Sequence, residues 1–324
     1  MSADAVVLGF DTSCYTTSVA AADLQGRPVA SCRRLLPVAL GERGLRQSDA
    51  LFIHVRQLPA LVEELAAQLQ GRKIVAVCTS TKPREDENSY MPVFQAGDAQ
   101  ARSAAALLGV PCFASNHQRG HIEAALVDSG MRDGPMLAVH LSGGTTELVR
   151  YDGEHVTLLG GSRDLHAGQV VDRTGVALGL VFPAGPHLEE LARQGISQAR
   201  LPVSMEGNDL FCHLSGAETQ IQRWIKQGTL PREDIAREVY DLLARTVARM
   251  VVAGAKQTGL RQVLLAGGVA SSALFRELVR GRIAKMDRGL HVCFGKPEYS
   301  GDNAMGAARI GVKLYQAQVQ ANKE

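Results

Sequence analysis

The sequence predicts a two-lobed α/β protein in which a mixed-sheet domain occurs twice. The chain has 324 residues, more than a single hydrophobic core usually serves, so we expect two domains of roughly 150 residues each. A strand–turn–strand pattern opens each half of the chain, which indicates an internal repeat. Glycine-rich loops also follow several predicted strands, as is typical of proteins that hold a ligand between two lobes.

In the first half, branched apolar runs predict strands, and runs rich in alanine and leucine predict helices. The predicted strands are 6–10, one from 18, 27–36, 73–79 and 110–114, and the predicted helices are 48–70, 96–108 and one that contains His117 and His121. Pro59 should break or kink the first helix because proline has no backbone N–H. Gly109 is expected to end the second helix.

The second half restarts the pattern at Asp133. The predicted strands are 136–141, 146–151, 156–159, 262–266 and 290–294, and the predicted helices are about 166–180, 186–194, 217–227, 232–258, one ending near 283, and 302–317. We therefore place an N-terminal lobe at 1–133, including a helix at about 117–129, and a C-terminal lobe at 134–324. The last helix, about 302–318, is a candidate to pack back on the N-terminal lobe.

Composition excludes several classes of protein. A hydrophobic content of 45% with 21% charged residues is ordinary for a soluble globular chain, and no window of about 18 apolar residues could span a membrane. The first residues do not resemble a secretory signal, so the cytoplasm is the expected location and no membrane partner is expected. A formal charge of +2 gives no dominant basic field, so contact with nucleic acid would need a local patch or a partner.

Cysteine spacing argues against a disulfide framework or a zinc knuckle, since no Cys-x-x-Cys pair occurs. We expect reduced, mostly buried thiols. The six cysteines are Cys14, Cys32, Cys78, Cys112, Cys212 and Cys293.

Three polar or glycine-rich loops have the makeup needed to hold a nucleotide. They are DTSC at 11–14, SGGTT at 142–146 and AGGVA at 266–270. In tight turns after strands, backbone N–H groups can converge on phosphate oxygens, and glycine permits a close approach. Each loop alone is more often a structural turn, but three of them in this order are more specific.

A second group of residues suggests a metal site. His117 and His121 are four residues apart and share one helix face, where two imidazoles can bind one metal ion. They could equally be two polar helix histidines, and Gln118 stands where a zinc protease would carry glutamate. A third ligand is needed, for which Asp302 is the candidate, although an aspartate before a helix is often an N-cap. Spacing leaves both alternatives open.

Seven ordered motifs resemble the TsaD/Gcp family, formerly called O-sialoglycoprotein endopeptidases. The motifs are GFDTSCYTTSVA (9–20), NHQRGH (116–121), LSGGTTELV (141–149), AGQVVDR (167–173), FPAGPHL (182–188), AGGVASS (266–272) and GDNA (301–304). The family is part of the actin, hexokinase and heat-shock-chaperone ATPase superfamily (ASKHA). The resemblance therefore implies duplicated mixed-sheet lobes around a central cleft.

By that resemblance, His117, His121 and Asp302 would bind one divalent metal ion, zinc or iron. The ligand would be ATP, AMP or an acyl-adenylate, and Asp11 is the candidate catalytic residue. The candidate nucleotide-binding residues are Leu141, Ser142, Gly143, Gly144, Thr145, Asp172, Gly185, Gly267, Gly268 and Ser272, the last where the family usually has asparagine.

The family moves a threonylcarbamoyl group from its adenylate to N6 of an adenosine in tRNA, so the resemblance implies an acyltransferase. The expected partners are tRNA, contacted by candidates such as Arg84, Arg102 and Arg119, and partner proteins in a homodimer or a heteromeric complex.

Several positions depart from the family pattern. Tyr15 and Thr16 replace two acidic residues, Thr145 replaces a histidine, Glu218 replaces a lysine, and 81–94 replaces a Pro-Gly-Leu loop. A divergent, non-catalytic paralogue that binds nucleotide and metal, as a sensor or assembly subunit, is therefore the alternative to a transferase. A metallopeptidase is a third and weaker hypothesis.

Overall fold

The computed structural model describes residues 4–13, 15–37, 45–86, 88–132 and 134–323. Cys14 and Asp133, on which two of the predictions fall, lie outside these ranges. The chain divides into two compact units. The first comprises Met1–Val127 and Gly301–Glu324, and the second is Asp128–Ser300.

The first unit is built on a mixed sheet whose strand order is β3-β2-β1-β4-β5. Its strands are β1 (Ala5–Thr12), β2 (Thr16–Asp23), β3 (Pro28–Leu35), β4 (Lys73–Lys82) and β5 (Cys112–Asn116). The first three strands pair antiparallel, and β4 and β5 continue the sheet in parallel from β1. Its helices are α1 (Gln47–Leu69), α2 (Phe94–Leu108), α3 (His117–Ala125) and the last helix of the chain, α9 (Met305–Ala321).

Helix α1 does not break at Pro59, which corrects one of the two outcomes that the sequence predicted there. The proline lies inside a continuous helix of 23 residues. Leu58, Leu61 and Leu65 are buried in the core of the unit, and their burial outweighs the one helical hydrogen bond that a proline removes.

The second unit contains a sheet with the order β12-β11-β6-β7-β8-β10-β9. Its strands are β6 (Met136–Leu141), β7 (Thr146–Tyr151), β8 (Val156–Ser162), β9 (Ser204–Met205), β10 (Phe211–His213), β11 (Gln262–Ala266) and β12 (His291–Phe294). Its helices are α4 (Ala167–Ala177), α5 (Gly185–Ala192), α6 (Ser215–Gln227), α7 (Arg232–Thr258) and α8 (Ala273–Met286). Helix α7 supplies much of the core, including Tyr240 and Val247.

The two sheets repeat one topology. In each, an antiparallel meander of three strands is followed by two parallel strands beside its first strand, in the orders β3-β2-β1-β4-β5 and β8-β7-β6-β11-β12. This repeat confirms the predicted duplication of a mixed-sheet α/β domain. The second sheet also carries β9 and β10, which are two and three residues long and too short to leave a sequence pattern. No helix in the described part of the chain is both long and apolar enough to cross a membrane.

Candidate metal and nucleotide sites

His117, His121 and Asp302 come together in the first unit. Their candidate ligand atoms all lie within 4.8 Å of one another. Oδ1 of Asp302 is 3.5 Å from Nε2 of His117 and 3.3 Å from Nε2 of His121, and the two Nε2 atoms are 2.9 Å apart. The histidines occupy the first and fifth positions of α3, so one helical turn brings both rings to one face.

The start of α3 is fixed by its N-cap. The side chain of Asn116 accepts a hydrogen bond from the backbone N–H of Arg119 at 2.8 Å, which satisfies one of the free donors of the first turn. Because the helix begins directly after β5, the position of His117 is set by the sheet.

Asp302 is not the N-cap of α9. The cap position is Ala304, and the N–H of Met305 donates instead to Oδ1 of Asn303 at 3.1 Å. The carboxylate of Asp302 therefore faces the two histidines, and its Oδ2 also lies 3.5 Å from the hydroxyl of Thr16. Of the two alternatives left open by the sequence, the geometry favours the ligand.

Asp11 lies behind His117. Its Oδ2 is 2.8 Å from Nδ1 of His117, and its side chain is 2% exposed. A carboxylate on Nδ1 holds the proton there and leaves Nε2 as the free nitrogen, an arrangement common behind metal-binding histidines. The other oxygen of Asp11 is buried and has no hydrogen-bond partner among the described residues. This position supports an orienting role for Asp11.

The pKa values of His117 and Asp302 are set by their burial and by the opposite charges beside them. Burial alone would lower the pKa of His117, but Asp11 and Asp302 raise it well above its usual range. Burial would raise the pKa of Asp302, but hydrogen bonds with His117 and His121 hold it well below its usual range. A partly buried carboxylate in this group therefore favours a positive charge beside it, which a proton or a metal ion can provide.

Two glycines bring α3 and α9 into close contact. A Cβ atom on Gly306 would lie 1.8 Å from the carbonyl oxygen of Gly120, the residue immediately before His121. Beside this contact the fully buried Glu123 of α3 pairs with Arg309 of α9 at 3.4 Å and also with Lys313. The contact and the ion pairs together fix the helix that carries the histidines against the helix that follows Asp302.

The donor set fits a divalent transition metal. Two imidazole nitrogens and one carboxylate are ligands that suit zinc and ferrous iron. Among the described residues, these three side chains form the group of histidine, cysteine, aspartate or glutamate ligands that lie close enough together to hold one ion.

The second unit contains a cavity of about 380 Å³ beside its glycine-rich loops. Six of the predicted nucleotide-binding residues line it, namely Ser142, Gly143, Asp172, Gly185, Gly268 and Ser272. Four do not. Leu141 is buried in β6, Gly267 packs against the backbone of Leu141, Gly144 is exposed, and the carbonyl of Thr145 closes the loop by accepting from the N–H of Ser142.

The loop after β6 packs directly on the start of α4. The N–H of Gly168 donates to the carbonyl of Ser142 at 3.1 Å, and a Cβ atom on Gly168 would lie 2.6 Å from the nitrogen of Gly143. The first two N–H groups of α4 already donate, Ala167 to the hydroxyl of Thr146 and Gly168 to Ser142, but the helix dipole still favours negative charge at this end. This corner of the cavity can therefore receive an anionic group such as a phosphate.

The opposite wall of the cavity holds acidic and hydroxyl groups. Asp172 accepts a hydrogen bond from the N–H of Ala184 at 2.9 Å, and burial raises the pKa of its carboxyl. The hydroxyl of Tyr240 donates to the carbonyl of Gly185 at 2.9 Å, and Glu189 accepts from the N–H of Leu274 at 2.9 Å. Carboxylates in such a wall can accept hydrogen bonds from sugar hydroxyl groups.

Sequence reasoning missed Glu189, Tyr240 and Gly168 as lining residues. Tyr240 lies in the apolar pattern of α7 and reads as core, whereas Gly168 follows the start of a helix and could have been identified by its position. Ser272 lines the cavity, but its side chain is the N-cap of α8 and accepts from the N–H of Phe275 at 3.1 Å.

Comparisons with known proteins identify the family. Residues 49–309 match the family described as TsaD, tRNA N6-adenosine threonylcarbamoyltransferase. The chain is 31% identical to a protein of that name from Bordetella avium over 87% of this chain and 84% of the relative. It is 32% identical to another from a Polaromonas species over 95% and 91%.

Solved structures support the fold at low identity. A HypF structure from T. kodakarensis superposes with a TM-score of 0.62 at 15% identity over 96% of this chain and 48% of HypF. A ROK hexokinase from Thermus thermophilus gives 0.53 at 16% identity over 96% and 99%. These neighbours share the ASKHA type of fold that the sequence predicts. The family match over residues 49–309 and the curated relatives show that the chain belongs to the TsaD family.

Proposed function

We propose that this protein is a metal-dependent transferase that moves a threonylcarbamoyl group from its adenylate to N6 of an adenosine in tRNA. The observation that carries the proposal is the convergence of His117, His121 and Asp302, with Asp11 held against Nδ1 of His117. The names of the curated relatives support the reaction class.

The first unit would hold one zinc or iron ion through Nε2 of His117, Nε2 of His121 and a carboxylate oxygen of Asp302. When bound, such an ion supplies a Lewis acid that can polarise a carbonyl oxygen. Asp11 keeps the imidazole of His117 in the orientation that leaves Nε2 free, so its role is to position a ligand.

The second unit would bind the adenylate. In the loop beside the start of α4, the backbone N–H of Gly143 would be offered to a phosphate. Asp172 and Glu189 offer carboxylate oxygens to hydroxyl groups of a ribose. Holding the leaving group in one orientation accelerates an acyl transfer because it removes rotational freedom before the reaction.

The proposed transfer is an acyl substitution. The lone pair on N6 attacks the carbonyl carbon of the threonylcarbamoyl group, an N–C bond forms, and the C–O bond to the phosphate breaks. AMP leaves with that electron pair, and N6 loses one proton to solvent.

A non-catalytic paralogue is the second candidate, and one observation favours it. Thr16 stands where the family carries an acid, and the nearby carboxylate of Asp11 is buried against His117. Such a protein would bind nucleotide and metal as a sensor or an assembly subunit and transfer nothing.

A single-turnover assay separates the two candidates. Purified protein with bound metal would be mixed with radiolabelled threonylcarbamoyl-adenylate and an unmodified tRNA, and labelled tRNA and AMP would be measured, with the metal content determined on the same sample. Transfer that disappears in His121→Ala supports the transferase. Metal and AMP binding without transfer, also in the presence of partner proteins from a TsaD-dependent system, supports the second candidate.

A further inference from the structure

The outer edge of the second sheet carries a groove that neither candidate site uses. Strand β12 is the last strand of the sheet and pairs with β11 on one side only. Two cavities, of about 730 Å³ and 150 Å³, lie along it against helix α8. They share Arg280, Ala284 and Val292, so they form one continuous groove, which we call the β12 groove.

The free edge of β12 offers unpaired backbone groups. The N–H of His291 donates to Arg261 and the N–H of Gly295 to Leu265, both on the side of β11, at 2.8 and 2.9 Å. In a parallel pair, alternate residues bond to the same neighbour. The N–H and C=O groups of Val292 and Phe294 therefore point away from β11, and no described strand pairs with them.

The rim of the β12 groove is positively charged. Arg280 and Arg288 form no ion pair with any described residue, and Arg276 donates only to the carbonyls of Ala270 and Gly295. The guanidinium groups of Arg276 and Arg280 lie 5.2 and 5.1 Å from the ring centre of Phe294.

Acidic groups of the groove do not cancel this charge. Asp287 is already bound to Arg261 at 2.6 Å, which leaves Glu277 as the remaining acidic lining residue among those described. Helix α8 is held in place by an ion pair between Arg282 and Asp241 of α7, so Arg276 and Arg280 project from a fixed wall.

We propose that the β12 groove binds an extended acidic segment of a partner protein, which adds to β12 as a further strand. The outward backbone groups would pair with the segment, as in other cases of strand addition to a sheet edge. Arg280 lies on α8 and Arg288 lies in the turn that follows it, and both line the groove beside Val292. Acidic side chains on one face of the added strand would therefore face these arginines.

Nucleic acid would use this surface differently. RNA would contact the arginines through its phosphates and make no use of the amide groups of β12. Arginines beside an edge strand can also serve to prevent pairing with other chains. These are the outcomes that the experiment must separate from peptide binding.

The test uses the full chain and a fluorescein-labelled seven-residue peptide that alternates glutamate and valine, followed by fluorescence anisotropy. We expect saturable binding that falls roughly tenfold or more in the double variant Arg280→Glu/Arg288→Glu, since charged hydrogen bonds are lost. Lys285→Glu, the same charge change on α8 outside the groove, should change affinity less than twofold.

Backbone pairing is tested with two N-methylated peptides. One carries methyl groups on the amides of its odd-numbered residues and the other on those of its even-numbered residues. One of the two should lose at least tenfold in affinity and the other should keep it, because a strand pairs through alternate residues. Val292→Pro removes an outward N–H without removing a bond to β11, and it should weaken binding while the unfolding midpoint stays within a few degrees of wild type.

Three results would overturn the proposal. They are absence of saturable binding, equal binding of a lysine–valine peptide, and equal binding of both N-methylated peptides. Tighter binding of a twelve-residue uridine RNA that is lost in the double arginine variant, with no peptide binding, would assign the surface to nucleic acid instead.

Discussion

The candidate metal site and the cavity of the second unit are made from different parts of the chain. The metal site consists of side chains from β1, α3 and the segment before α9, held by buried charges. The cavity is shaped mainly by backbone at strand ends, where glycines allow close packing. Loss of a side chain should therefore disable the first site, and addition of one methyl group should disable the second.

Removal of one imidazole should have the largest effect. His121→Ala takes away a ligand, and we expect loss of stoichiometric metal and a decrease in transfer on the order of 10³-fold, since a Lewis acid is worth several kcal/mol. Metal analysis by mass spectrometry and the single-turnover assay measure both. His155→Ala, at an exposed hairpin position, is the control and should leave both unchanged. Full metal content in His121→Ala would contradict the assignment of the ligand.

The buried ion pairs between α3 and α9 come next. Glu123→Ala leaves the mostly buried Arg309 without its acidic partner, so the free energy of unfolding should fall by about 3 kcal/mol. Urea unfolding measures the change. Glu63→Ala, at an exposed position of α1, should change it by less than about 0.5 kcal/mol. An equal effect of the two substitutions would show that the pairs contribute nothing to the fold.

Two glycines of the cavity make a matched pair. Gly168→Ala places a methyl group against the backbone of Ser142 and Gly143 and should destabilise the protein by about 1 to 3 kcal/mol. Gly143→Ala meets no heavy atom within 4 Å, so its stability should remain that of wild type. Both should weaken AMP binding about tenfold in calorimetric titrations, because a ligand phosphate needs the space at Gly143. If Gly143→Ala bound AMP as tightly as wild type, the phosphate would not lie against this loop.

The smallest expected effects are on the pH dependence of stability, which should differ between two aspartates of the second unit. Burial raises the pKa of Asp172, so its contribution to stability is full below about pH 3.9 and is lost as pH rises through the raised pKa. For Asp164, burial is outweighed by hydrogen bonds from Ser215 and Leu214 that lower the pKa. Its contribution is therefore present above about pH 3.9 and lost in acid.

Asparagine substitutions should show that the two aspartates change the stability with pH in opposite directions. From pH 3 to 7, Asp172→Asn should gain stability relative to wild type and Asp164→Asn should lose it, each by about 1 kcal/mol or less. Urea unfolding at several pH values measures both trends, and parallel trends would contradict the two environments.

Much of the fold was predictable because its strands and helices carry clear periodicities. The meanders around β1 and β6 follow from alternating branched residues, and the spacing of His117 and His121 predicted their shared face. Other features depend on tertiary contacts that no local pattern encodes. The sequence left Asp302 as either a cap or a ligand, since its position depends on how α9 packs against α3, including the contact of Gly306 with Gly120. The lining role of Tyr240 was hidden in the apolar pattern of α7 for the same reason.

The first unit is built from two segments that lie far apart in the sequence. The ribosome therefore makes the parts of the candidate metal site at different times. Asp302 leaves the ribosome roughly 180 residues after His121, which at ordinary elongation rates is roughly 10 to 40 s later. Until then the nascent chain presents the two histidines without their carboxylate partner and without α9 to fix α3. The complete donor set exists only after Asp302 has been synthesised, so binding of a metal ion by all three side chains would have to follow that point.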